Sequence, residues 1–307
     1  MPTWTRFAAR ACALAALVAG ATVAKAQQPA EPEPPKIDWT QGPAKVNVGA
    51  SIAEVQLPEG LAFAGPADSR KLLEAMGNPT DGSEMGIIIP KADDQNWFIV
   101  FEWRPVGYVK DEDKDKIDAD ELLESIREGT EAANEERKKR GMSAMHVVGW
   151  SEPPRFDDRT KNLTWALLGR NDDGHESINY NVRVLGREGV MSVTLVDEPQ
   201  NLAKAKPAVD GVLAAFTYKP GKRYAEWVPG DKVAEYGLAA LVAAGAGAAA
   251  VKLGFFGFLA KLFAKGGKLI VVALAGIGAI AVKVWNAARG KMSARPAPRP
   301  GTPDAGA

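Results

Sequence analysis

The chain has 307 residues, with 38 basic and 38 acidic side chains and a formal net charge of zero. That balance argues against nucleic acid as a partner, because nucleic-acid binding normally shows as a clustered basic excess. The only cysteine is Cys12, close to the N-terminus, so the rest of the chain has no disulfide, no thiolate metal site and no cysteine nucleophile.

Residues 1–26 read as a secretory signal. Arg6 and Arg10 supply the positive start, Ala11 to Ala24 form a short apolar core, and Ala24-Lys25-Ala26 offers small residues where a signal peptidase reads. Cleavage after Ala26 is expected. Residues 27–36, "QQPAEPEPPK", form a proline-rich acidic tether that favours an extended chain.

A folded region is predicted over 37–224. "KVNVGASIAEVQLPEGLAF" predicts two short strands, broken at Gly49 and at Pro58-Glu59-Gly60. "ADSRKLLEAMGN" predicts a short helix capped by Asp68, ended by Gly77, with Leu72, Leu73 and Met76 facing inward. Trp97 to Arg104 alternates, which puts Trp97, Ile99, Phe101 and Trp103 on one buried face. Asp118 to Arg140 predicts a helix with capping-box spacing at Asp118 and Glu121 and a buried stripe of Leu122, Ile126 and Ala133. Three strands follow, with Leu163, Trp165 and Leu167 on one face of the first. Ile178, Tyr180, Val182 and Val184 face inward on the second, and Met191, Val193 and Leu195 alternate along the third. Asn171 to Gly174 and Gly186 to Gly189 are the hairpin turns between them. A last helix spans Leu202 to Phe216, with Ala205, Val209, Val212 and Phe216 on one face and Pro207 within it, and a short edge strand is placed near Thr217 and Tyr218. This order predicts an α+β fold, an antiparallel sheet covered by helices, similar in element order to the PsbP/Mog1-like sandwich.

Residues 225–286 change character. The stretches 238–260 and 269–285 are apolar, the first interrupted by Lys252, the second flanked by Lys268, Lys283 and Trp285. Both suit a membrane anchor. Hydrophobic length favours a two-helix hairpin, whereas Arg289, Lys291, Arg295 and Arg299 in the disordered basic tail, 287–307, obey the positive-inside rule if only the second stretch spans.

Signals for chemistry are weak. Asp111, Asp113 and Asp115 match the first ligand positions of a calcium loop, but Lys116 stands where a glycine is needed and Leu122 where a bidentate glutamate is needed. The histidines, His146 and His175, have no spacing that suggests convergence on a metal or a nucleophile. HExxH, G-x-S-x-G, P-loop and dinucleotide motifs are absent from the sequence. No catalytic residue, cofactor or metal is therefore assigned. The one suggestive feature is a polar ladder of Ser177, Asn179, Asn181 and Arg183 on the face of a strand turned from the core, with Thr164 and Arg170 placed beside it. It reads as a ligand-facing surface or as an ordinary solvated sheet face.

Several runs together resemble one bacterial family: "QLPEGLAF", "NWFIVFEWRPVGYVKD", "ESIREGTEAANEERKKRG", "HVVGWSEPPRFD", "LTWALLGR", "NYNVRVLGREG" and "DKVAEYGL". They are similar to the membrane-anchored proteins of domain-of-unknown-function family 2167, over roughly Gly42 to Trp285. The resemblance implies a secreted domain with a C-terminal anchor and implies no activity. The expectation is a protein of the bacterial inner membrane, its main domain periplasmic, binding or scaffolding rather than catalysing. Its partners would be the bilayer and an envelope or membrane protein. A periplasmic hydrolase and an accessory subunit of a membrane complex are the rival readings.

Overall fold

The computed structural model describes residues 35–243, except Gly77, Pro79 and Arg140. The signal, most of the tether and the apolar stretches beyond Ala243 lie outside the described residues.

In chain order the elements are β1 (Trp39–Gln41), β2 (Ala44–Val48), β3 (Ala53–Leu57), β4 (Leu61–Ala64), α1 (Pro66–Ala75), β5 (Glu84–Pro90), β6 (Phe98–Arg104), α2 (Ala119–Lys139), β7 (Met145–Asp157), β8 (Asn162–Asn171), β9 (Glu176–Leu185), β10 (Val190–Asp197), α3 (Leu202–Ala214), β11 (Phe216–Tyr218) and α4 (Leu238–Ala243). The strands make an eight-stranded sheet, ordered β1-β4-β5-β6-β10-β9-β8-β7, and a three-stranded sheet, ordered β11-β3-β2. Every pairing is antiparallel. The fold is thus α+β, an antiparallel sheet covered by helices.

Alternation along β6, β9 and β10 decides how the layers stack. Ile99, Phe101, Tyr180, Val182, Met191, Val193 and Leu195 turn to one face of the large sheet. There they meet Val46, Val55 and Leu57 of the small sheet and Ala205, Val209 and Val212 of α3 in one core cluster. Each fully buried side chain of this size contributes about 1.5–3 kcal/mol. Tyr218 joins the layers: its hydroxyl donates to the Val184 carbonyl at 2.7 Å and accepts from the Met191 amide at 3.1 Å. Burial pushes that phenol well above its ordinary pKa.

The opposite face carries helices. Leu72 and Leu73 of α1 pack on Ile87 and Val100. α2 lies along β7, where the Trp150 indole donates to the Ala119 carbonyl at 2.9 Å. Trp150 pairs in register with Leu167, and Leu167 with Asn179, so α2 sits on the face that carries Leu163, Trp165 and Leu167. These three point away from Tyr180 and Val182. Both faces of the sheet are therefore buried, and the sheet does not present one core face and one solvated face.

The structure changes several local expectations. α1 begins at Pro66 in the first helical turn, with Gly65 as cap; Asp68 lies inside that turn and accepts the Asp38 amide instead. Met76 is 46 % exposed, not inward. The buried stripe of α2 runs through Leu122, Ile126, Thr130 and Asn134, a four-residue step that leaves Ala133 half-buried. Asp118 does cap α2, accepting the amides of Asp120 and Glu121 at 3.1 and 3.0 Å. Phe216 belongs to β11 rather than to α3. Gly77 and Arg140, expected as helix ends, lie outside the described residues. The strands β1, β5 and most of β7 were not signalled by the sequence pattern.

Among the described residues no helix is long and apolar enough to cross a membrane. The first residues of the first apolar stretch, Leu238 to Ala243, form a buried helix that packs against α2.

A polar floor beneath the helices of the large sheet

Register places the predicted ladder residues together on one face of β9, beneath the helix layer. Ser177 is half-buried and Asn179 exposed, but Asn181 and Arg183 keep only 4 % and 6 % of their surface. The ladder is thus open at one end and buried at the other, and the expected solvated face holds only for the first part. The reason is the helix layer on this face, in which α2 packs along β7, and which strand alternation does not reveal.

The neighbours also differ from expectation. Thr164 pairs with Val182 and Arg170 with Glu176, which puts both on the other face, away from the ladder. Leu163, Trp165, Leu167 and Gly169 are opposite Arg183, Asn181, Asn179 and Ser177. The ladder therefore runs along an apolar wall. On its other side β10 offers Ser192 opposite Arg183 and Thr194 opposite Asn181, and β6 continues the row with Glu102 opposite Ser192.

Hydrogen bonding sorts these groups. Asn181 is satisfied: its Nδ2 donates to the Asn179 carbonyl at 2.9 Å, and its Oδ1 accepts from Thr194 at 3.2 Å. Arg104 donates to Asp81 at 2.6 Å and to Glu102 at 3.3 Å. Burial opposes the Asp81 charge, but donors from Ser83 and Arg104 overcome it and hold the carboxyl down to about 2. Buried Glu84 accepts the amides of Asp81 and Gly82, both at 3.0 Å. Arg183 differs. Its Cζ stands 4.7 Å from the Trp165 ring centroid, a cation–π contact. Burial pulls its pKa down to about 10, with Glu102 acting against that and Arg104 with it. Taking an unpaired charge out of water costs on the order of several kcal/mol, so this guanidinium is expensive where it sits.

The other polar clusters are structural. His146, on the edge strand β7, holds Glu131 of α2 at 2.8 Å through Nδ1 and Asp172 of the β8–β9 turn at 2.9 Å through Nε2. With both nitrogens taken, the ring has none free to act as a base. His175 lies in that turn, its amide donating to Asp173. Asp111 pairs with Lys161 at 2.7 Å, and Asp113 accepts the Leu238 amide at 3.2 Å, so the acidic run is spent on the fold. Among the described residues no three histidine or carboxylate side chains gather as a metal site. A small recess between Asn96, Trp97 and the start of α3 has about 20 Å³ of room, the space of about one water. Asp197 lines it, with Oδ2 buried and unpartnered; burial raises the pKa of this carboxyl.

Fold and site together define a class: an α+β domain with a doubly covered antiparallel sheet and a polar floor under its helices. The chain belongs to the DUF2167 family, described as "Protein of unknown function (DUF2167)", whose model matches residues 40–278. No curated protein matches it. Among solved structures it is similar to cyanobacterial PsbP (CyanoP) from Synechocystis, at 14 % identity and a TM-score of 0.32 over 54 % of this chain and 86 % of that one. It is also similar to the Saccharomyces cerevisiae Ran-binding protein Mog1p, at 9 % identity and a TM-score of 0.31 over 59 % of this chain and 96 % of that one.

Proposed function

We propose that this chain is a membrane-anchored protein of the bacterial inner membrane whose periplasmic domain binds or organises a partner rather than transforming a substrate. The anchor lies beyond Ala243 in the apolar sequence 238–260 and 269–285, as a single span or a helical hairpin, because Leu238 to Ala243 pack against α2.

The observation that carries the reading is the way the chain approaches that sequence. From Lys222 onward it is tied to the domain every few residues. Tyr224 donates to the Val109 carbonyl at 3.0 Å. Arg187 grips Asp231 through two nitrogens, at 2.7 and 2.8 Å, and this holds the Asp231 carboxyl down to about 2. The Tyr108 amide donates to the Lys232 carbonyl at 2.8 Å, and the Ala234 amide to the Tyr108 carbonyl at 2.9 Å. The aromatic rings of Tyr108, Tyr224 and Trp227 stack along the same path, with centroids 4.4 and 5.2 Å apart. Leu238 then enters α4 from the Asp113 carboxylate. The chain is thus fastened to the domain up to the point where the apolar sequence begins, which suits a scaffold better than a freely tethered enzyme.

The test is capture from detergent-solubilised membranes, with and without residues 244–285, a deletion that keeps α4. Specific co-purification of an envelope or membrane protein with the full chain supports the reading; no specific partner for either form sinks it. A reporter fused after Ala307 separates the topologies. Exported activity supports the hairpin, and cytoplasmic activity supports the single span.

A further inference from the structure

Asp197 is a buried carboxylate that the fold leaves half-satisfied. It ends β10 opposite Ile178 and keeps only 7 % of its surface. Its Oδ1 accepts the Glu198 amide at 2.8 Å and Asn201 Nδ2 at 3.5 Å. Its Oδ2 is buried and has no donor among the described residues. Burying an ionised oxygen without a donor or a cation is costly. Asp197 lines the recess of about 20 Å³ beside Trp97 and Ala205 of the core. The other polar groups there are oxygen-bearing. Asp94, Gln95 and Asn96 come from the loop between β5 and β6, and Asn201 from the turn before α3. Gln95 Oε1 accepts the Trp97 indole at 2.9 Å, which fixes that amide and leaves its oxygen a second lone pair. The cation on the lining is Lys204, which reaches Asp94 at 3.4 Å with both groups largely exposed, a weak pair.

We propose that this recess binds a calcium ion, with Asp197 and Asp94 as its charged ligands and the amide oxygens of Gln95, Asn96 and Asn201, with water, completing the shell. The donors are hard oxygens without an imidazole or a thiolate, which favours calcium or magnesium over zinc, copper or nickel. Room for about one water suits a single ion and not an organic group. Two carboxylates fall short of a three-acid centre, but calcium takes amide oxygens and water in a flexible shell of about six to eight, whereas magnesium demands a strict octahedron. The charge balance has the right sign: Asp94 and Asp197 outweigh Lys204, and the Glu198 charge bears on Asp197 as well. The ligands come from two separate parts of the chain, so the ion fastens the β5–β6 loop to the start of α3. This site lies apart from the acidic run of Asp111 to Asp115, and it is independent of the membrane reading above.

The test is thermal unfolding of the full chain in detergent, stripped with a chelator and then titrated with calcium, magnesium and sodium chlorides at matched ionic strength. Calcium is expected to raise the midpoint saturably, by linkage to the folded state, with half the effect at about 10⁻⁴–10⁻³ M, the range of weaker calcium sites. Magnesium should act about tenfold more weakly or less, and sodium not at all. Terbium supplies a second readout. Bound beside Trp97, it should emit when tryptophan is excited, and excess calcium should remove that emission. Asp197→Asn keeps the shape of the side chain and removes its charge. Without calcium it should be as stable as the native chain or more so, and it should lose both the calcium shift and the terbium emission. Asp94→Asn, at an exposed position, should weaken both by about tenfold or more. The proposal is overturned if neither calcium nor terbium gives a signal, which assigns the recess to a water that donates to Asp197. It is equally overturned if magnesium or sodium acts as strongly as calcium, or if either variant responds like the native chain, which places the ion elsewhere.

Discussion

The two faces of the eight-stranded sheet are built on different terms. Toward the small sheet and α3, the buried contacts are mostly apolar; the polar groups among them are the Tyr218 hydroxyl, which has both an acceptor and a donor, the Tyr180 hydroxyl, and Asp197 opposite Ile178. Toward α1 and α2, apolar patches at Val100 and Trp165 flank a polar strip that contains buried Glu84, Ser192, Asn181 and Arg183. A face that existed only to hold the fold would have no use for an unpaired guanidinium, because an apolar residue of similar volume is neutral or better in such a place. The difference teaches that the first face holds the structure together, and that the second gives up stability for something else.

That contrast can be broken at graded cost. Phe101→Ala removes a fully buried ring from the apolar face and should lose about 3–5 kcal/mol in urea unfolding; a loss under 1 kcal/mol would mean that this face is not the main source of stability. Tyr218→Phe leaves the Val184 carbonyl and the Met191 amide without their partner and should cost about 1–3 kcal/mol. On the helix side, Asp118→Ala strips the cap from α2 and should cost about 1 kcal/mol, with the loss confined to α2 and β7 in hydrogen exchange.

The smallest effects are electrostatic and lie where the helix layer is fastened. Carboxylates on both ring nitrogens, Asp172 before Glu131, raise the His146 pKa above its ordinary value. Lys138 bears on the same two carboxylates, and Asn134 also donates to Glu131. A raised folded-state pKa contributes stability that is fully present below the unfolded value of about 6.5 and is lost as pH rises through the folded value. Native chain should therefore lose stability across neutral pH, while His146→Gln should show a flatter profile. Asp231 works in the opposite direction. Its depressed carboxyl contributes above the unfolded value of about 3.9 and stops contributing as pH falls toward about 2. Asp231→Asn should flatten its share of the acid-side slope, with Asp81 supplying another share, and leave the His146 slope intact.

Much of this architecture was legible from periodicity. The alternation from Trp97 to Trp103 and from Ile178 to Val184 found the apolar face, and Asp118 found the start of α2. What alternation does not encode is which face of one strand aligns with which face of the next. Leu163, Trp165 and Leu167 have the same period as Ile178 to Val184, yet register sends them to the opposite side. That single choice of phase turned a solvated ladder into a covered one, and it replaced Thr164 and Arg170 by Trp165 as the neighbours of the site. Strands such as β5 and β7 escaped for a related reason. β5 is a run buried at most positions on both faces, and β7 is a long edge strand with prolines at 153 and 154 and register shifts along it. The ladder residues were visible in the sequence, but the unmet donors that make Arg183 distinctive required three-dimensional contacts.

The most direct measurement compares the unfolding free energies of native, Phe101→Ala and Arg183→Met chains. If the helix-covered face carries a charge at a cost in stability, Arg183→Met is as stable as the native chain or more so, while Phe101→Ala falls far below both. An Arg183→Met chain destabilised to the extent of Phe101→Ala would show that Arg183 holds the fold, and would contradict the division of labour between the two faces.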